Sequence, residues 1–139
     1  MMHVALAVSL FFLFNLSALA QSAHDDSAAV EGTVRNYIES YYKGDARRME
    51  QTLHPHYLKH MIHGEIPVRE KTGAQMVSEV GRGPAGIPAS RETEEIRVLD
   101  VAGRVASAKL ITPGWTDYMV LEKVDGAWKI LPVVQRIDD

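Results

Sequence analysis

Apolar positions recur with a helical period through the first half of the chain and alternate with a strand period in the last third. Val30, Val34, Tyr37, Ile38 and Tyr41 share one helical face, while Glu31, Arg35, Glu39 and Lys43 form an i,i+4 charge ladder on another. This predicts a helix that starts from a cap at Asp26 or Ser27, after a short lead-in over 21–27, and stops at Gly44. Asp45 is predicted to cap a second, shorter helix through Leu53, with Ala46, Met49 and Leu53 inward and Pro55 closing it. Tyr57 to Ile62 reads as a short strand. Thr72 and Gln75 fit a capping box that opens a third helix through Met76, Val77 and Val80. Gly81 to Pro88 reads as a loop.

Beyond that loop the pattern becomes β. Glu94 to Val101 and Arg104 to Thr112 are predicted strands joined around Ala102-Gly103, and Pro113-Gly114 turns the chain into a hairpin. Asp125-Gly126, between Trp115–Val124 and Ala127–Arg136, is a strong signal for a two-residue type I′ turn. That turn sets Val124 opposite Ala127 and runs back through Glu122–Lys129, Leu121–Ile130, Met119–Pro132 and Asp117–Val134. One face then carries Trp115, Asp117, Met119, Leu121, Ile130, Val134 and Trp128. The other carries Thr116, Tyr118, Glu122, Lys129 and Gln135. The first is the core face by composition, and Asp117 is its odd member. Helices first and an antiparallel meander last predict an α+β domain, with helices packed on one face of a curved sheet.

The N-terminal stretch changes the domain boundaries. Val4 to Ala20 is an apolar run broken only by Ser9, Asn15 and Ser17, ending in Ala18-Leu19-Ala20 before Gln21. This is the pattern of a secretory signal peptide, so residues 1–20 are expected to be a cleaved leader and 21–139 the domain. The rival is an uncleaved anchor, but the run is near the short end of the roughly 17–25 residues that span a bilayer. Export, to a periplasm or outside the cell, is the expectation, with no membrane contact after cleavage. No charged side chain precedes Asp25, so the formal charge of −3 belongs to the domain. A mildly acidic domain without a basic run is a poor partner for nucleic acid or anionic lipid. The chain has no cysteine, which excludes disulfides, a thiol nucleophile and thiolate metal sites.

Two blocks resemble a known family. In residues 30–61 the markers are Tyr37, Tyr41, Gly44-Asp45, Met49 and Leu53-His54-Pro55. In residues 99–134 they are Ala106-Ser107-Ala108-Lys109, Asp117-Tyr118, Leu121, Asp125-Gly126 and Trp128-Lys129-Ile130. The chain resembles the NTF2-like (cystatin-like fold) superfamily, within its putative lumazine-binding and SnoaL-like branch. The resemblance implies a cone: N-terminal helices wrapped by a strongly curved antiparallel sheet, with a pocket at the wide end. It also implies a homodimer, for which Tyr118, Val120, Leu131 and Val133 on the outer hairpin face supply apolar surface. The superfamily includes isomerases, dehydratases and polyketide cyclases, and a shared fold does not transfer chemistry.

Asp117 is the first candidate for chemistry. A carboxylate on an apolar face has its pKa raised unless donors hold it, and such a group can take a proton from carbon α to a carbonyl. Its bland role is to brace the cone through hydrogen bonds. Tyr37 and Tyr41 are candidates to aim hydroxyls into the pocket, and Trp115 and Trp128 to wall it for a planar ligand; the ordinary role of all four, and the favoured one, is to fill the core. His54 is a candidate acid/base partner of Asp117 at the pocket mouth, or else a helix-end cap. His54, His56, His60 and His63 crowd one segment, but Pro55 interrupts it and no zinc signature spacing occurs. No metal and no cofactor are expected, since P-loop and dinucleotide fingerprints are absent.

Three functions follow: a non-catalytic binder of a small apolar or planar molecule; a cofactor-free isomerase, dehydratase or cyclase with Asp117 as base; or an accessory protein acting through its sheet surface. The first is preferred, because the sequence places no second acid/base group securely beside Asp117.

Overall fold

The computed structural model describes the backbone of residues 4–139 and the side chains of 18–139. Most of the expected leader, 1–20, therefore lies outside the residues described in full.

Helix α1 spans Val4–Lys43 without a break, so the expected cap at Asp26 or Ser27 and the lead-in before it are corrected. Asp26 is engaged elsewhere: its Oδ1 accepts from Lys123 Nζ at 2.6 Å and Trp128 Nε1 at 3.3 Å. With that oxygen taken and helix-forming residues upstream, no cap starts a new helix. The inward stripe of α1 is Val30, Val34, Tyr37, Ile38 and Tyr42, all buried, while Tyr41 is half-buried beside it. At its end Gly44 takes φ 71° and the Asp45 amide donates to Ser40 O at 2.9 Å, a Schellman-type stop. Asp45 then caps α2 (Ala46–Thr52), accepting from the Arg48 amide. Helix α3 (Gly73–Val80) opens on the capping box of Thr72 and Gln75 and buries Met76 and Val80.

The sheet has six strands: β1 Leu53–His63, β2 Ile66–Thr72, β3 Glu95–Ala102, β4 Val105–Thr112, β5 Trp115–Val124 and β6 Ala127–Ile137. Their order is β2-β1-β6-β5-β4-β3, an open sheet in which only the β1–β6 pair is parallel. The α+β class read from the sequence holds. Strand β2 had no hydrophobic signal because it is exposed on both faces, an edge strand carrying Pro67, Arg69 and Lys71. Irregularities in β1 between Leu53 and Leu58 and in β3 between Val98 and Asp100 add local bending and twist.

The final hairpin turns at Asp125 (φ 49°) and Gly126 (φ 81°), and its first four pairs, Val124–Ala127 to Leu121–Ile130, keep the expected register. Beyond Leu121 the register slips: Met119 pairs with Val133, and Asp117 with Gln135. Leu131 and Pro132 together face Val120, a bulge in β6 where proline's missing N–H is tolerated. The extra residue lies in β6, so β5 keeps its alternation and Asp117 stays inside. The end of β6 is inverted instead. Val133 and Gln135 turn inward and Val134 outward, correcting the expected faces of all three.

Candidate functional site

The concave side of the sheet and α1 enclose a cavity of about 200 Å³ beside α3. Its walls are apolar: Ile38 and Tyr41 from α1, Met76 from α3, Trp115 from β5 and Ile137 from β6. Tyr41 and Trp115 meet edge to face, with centroids 5.8 Å apart and planes at 81°. The inner end is polar and holds Tyr37, Lys59, Asp117 and Gln135. Lys71 and Glu79, paired with each other, are its more exposed lining.

Lys59 on β1 is the partner of Asp117. Its Nζ lies 3.3 Å from Asp117 Oδ1 and 3.4 Å from Oδ2, and it donates to the Tyr37 hydroxyl at 3.1 Å. The hydrogen bond to the carboxylate is directed at Oδ2; Oδ1 is buried without a directed donor. Tyr37 and Tyr57 hydroxyls lie 3.3 Å apart, extending the chain of polar atoms toward β1. These groups reach one place because Tyr37 projects from the inner stripe of α1, and Lys59 and Asp117 from inner positions of two strands separated by β6.

Burial governs the electrostatics. It pushes the Asp117 carboxyl up from its ordinary 3.8, and the positive charge of Lys59 offsets this. Gln135 and Trp115, beside the carboxylate, act in the same sense as Lys59. Burial likewise lowers Lys59 from 10.5, with Asp117 opposing. Both shifts run toward the neutral forms, and each partner's charge opposes the other's shift. Desolvation and then the neighbouring Tyr57 and Asp117 hold Tyr37 well above 10.0, so its hydroxyl keeps its proton. Together, an amine, a carboxyl and a phenol line a cavity with two aromatic walls.

A family model described as "Putative lumazine-binding" matches residues 25–134. The chain belongs to this family. Solved structures share its fold at low identity. An NTF2-like protein of unknown function from Silicibacter pomeroyi DSS-3 superposes with a TM-score of 0.69 at 16% identity, covering 83% of this chain and 98% of its own. One from Shewanella baltica OS155 gives 0.67 at 16%, covering 83% and 95%. A "putative dehydratase" of the NTF2-like family from Streptomyces avermitilis gives 0.54 at 14%, covering 84% and 98%. Such identities carry the fold alone. No curated protein matches the chain.

Of the residues proposed from sequence, this lumazine-binding-family fold brings Tyr37, Tyr41, Trp115 and Asp117 to one cavity. It places two elsewhere. Trp128 is buried and lines a separate depression with Thr33 and Arg48, its indole N–H given to Asp26. His54 Nε2 faces Glu122 Oε2 at 3.2 Å, and His54 Nδ1 accepts from the His56 amide at 3.0 Å. It borders another groove with Pro55 and Val77, away from Asp117, because the irregular stretch after Leu53 separates it from the regular part of β1. The other histidines disperse: His60 pairs with Glu70 and His63 with Asp139. Among the described residues no three His, Asp or Glu side chains converge to hold a metal ion.

Lys59, Tyr57 and Gln135 went unrecognised in the sequence. Lys59 had a signal of the same kind as Asp117: in a strand over 57–62 it alternates with Tyr57 and Met61, a charge on an apolar face. Gln135 had none, since only the bulge turns it inward.

Proposed function

We propose that this chain is an exported binding protein for a small planar molecule with apolar faces and a polar edge. The observation that carries this is the cavity itself: Tyr41 and Trp115 wall it, and Lys59, Asp117 and the Tyr37 hydroxyl form its polar inner end. The cavity is smaller than the roughly 300–1,000 Å³ of drug-sized sites, so it selects a small ring system. The rim charges of Lys71 and Glu79 cancel, which leaves shape and the polar end to set specificity.

The chain has two tryptophans, and only Trp115 lines this cavity. Titrating the ¹⁵N-labelled protein with lumazine, indole and benzaldehyde should shift the Trp115 indole N–H signal and leave that of Trp128 in place. Shifts at neither residue with all three probes would remove the binding reading.

The same pair favours a second reading, in which Asp117 is the general base of a cofactor-free isomerase, dehydratase or cyclase. A carboxyl raised in pKa beside an amine and a phenol has the parts for moving a proton. Under this reading Asp117→Asn keeps ligand binding and loses turnover; under the first there is no turnover to lose. As to assembly, the outer face of β5 and β6 exposes Tyr118, Val120 and Val134, and we propose that a second copy of the chain covers it.

A further inference from the structure

We propose that Lys59 forms a reversible imine with the carbonyl carbon of a small aromatic or conjugated aldehyde or ketone held in the cavity. The inference rests on the binding reading above and adds covalent chemistry to it. The geometry supplies the parts. Lys59 borders the cavity yet is almost wholly buried, and its Nζ sits between the Asp117 carboxyl and the Tyr37 hydroxyl. The other lysine on the wall, Lys71, is tied to Glu79 and more exposed. A desolvated lysine is the form in which this side chain acts as a nucleophile. The conjugated plane of the ligand would lie against Trp115 and Tyr41, with its carbonyl toward the polar end.

The step balances without a further reagent. A proton crossing from Lys59 to Asp117 leaves a free amine and a carboxylic acid. The Nζ lone pair adds to the carbonyl carbon; the C=O π pair moves to oxygen, which takes the proton of Asp117. The nitrogen returns a proton to Asp117, and Asp117 delivers it to the hydroxyl, which leaves as water while the C=N bond forms. The sum is carbonyl plus lysine ammonium giving a protonated imine plus water, with Asp117 returned to its carboxylate. Tyr37 donates to the carbonyl oxygen as negative charge grows there.

The test uses the full-length protein, benzaldehyde and sodium cyanoborohydride at neutral pH, followed by peptide mass mapping. Reduction fixes an imine as a benzyl-lysine. The expected result is labelling of Lys59 at least about tenfold faster than the well-exposed Lys43 in the same sample, as for an amine held beside the carbonyl it attacks. Measured across pH, the Lys59 rate should level off below the ordinary lysine value of 10.5. Labelling of Lys59 no faster than Lys43, with the Trp115 signal still shifted by benzaldehyde, overturns the imine and leaves the binding reading standing. Absence of both overturns the two together.

Discussion

Lys59 Nζ reaches past strand β6 to lie 3.3 Å from Asp117 Oδ1, a contact between residues 58 positions apart in the chain. Neither residue is a natural occupant of a core. Each is accommodated because the other is there.

That relationship sets the energetics of substitution. Removing one member of a buried pair leaves the other without its partner and costs roughly 3–5 kcal/mol, whereas replacing both with apolar groups of similar volume is often neutral or stabilising by about 1–4 kcal/mol. Lys59→Met and Asp117→Leu should each be strongly destabilised in urea unfolding, and the double variant should match or exceed the wild type. A stable double variant that has lost ligand binding would show that the pair is kept for its site. A double variant as unstable as the sum of the singles would show that it braces the fold.

The pair also predicts a pH dependence with opposite signs at its two ends. Asp117 is raised above 3.8 by burial, so from 3.8 up through its folded value the native state holds more protons than the unfolded chain, and stability falls as pH rises. Lys59 is lowered below 10.5, so between its folded value and 10.5 the unfolded chain holds more protons, and stability rises with pH. Unfolding free energies across pH should show the wild type weakest, relative to the double variant, between these windows. A difference independent of pH would mean that neither shift exists.

Gly44 is the position where backbone geometry leaves least choice. Its φ of 71° is left-handed, and a Cβ there would lie 2.4 Å from Gly83 C and 2.6 Å from Pro84 N. Gly44→Ala should lose about 1–2 kcal/mol from the dihedral alone, and more from displacing the loop after α3. Chemical denaturation measures this directly; a cost below half a kcal/mol (roughly, on the same scale) would mean that the loop yields freely.

The outer face of the hairpin predicts an assembly. Tyr118, Val120 and Val134 stand exposed on adjacent strands, with Lys109 over the Tyr118 ring at 5.2 Å. Val120→Lys should convert a dimer to a monomer in sedimentation equilibrium with the circular dichroism spectrum unchanged. A wild type that is monomeric at every concentration ends the dimer proposal.

What the sequence determined by itself is what near neighbours decide. The helical stripe of α1, the cap of α2 at Asp45, the box at Thr72 and Gln75, and the type I′ turn at Asp125-Gly126 each depend on residues within a few positions, and each is present. Asp117 was legible for the same reason, because alternation along β5 runs unbroken from the turn. Tertiary structure decided the rest. The bulge at Leu131-Pro132, which exchanges Val134 for Val133 and Gln135 on the inner face, arises where β6 must pair with β5 on one side and β1 on the other. Helix α1 continues through Asp26 because distant Lys123 and Trp128 take that carboxylate. His54 turns to Glu122 instead of the cavity because the chain is irregular between Leu53 and Leu58. The partner of Asp117 came from a strand whose neighbour was unknown until the parallel β1–β6 pairing formed, and no local pattern encodes a contact between two strands that do not touch.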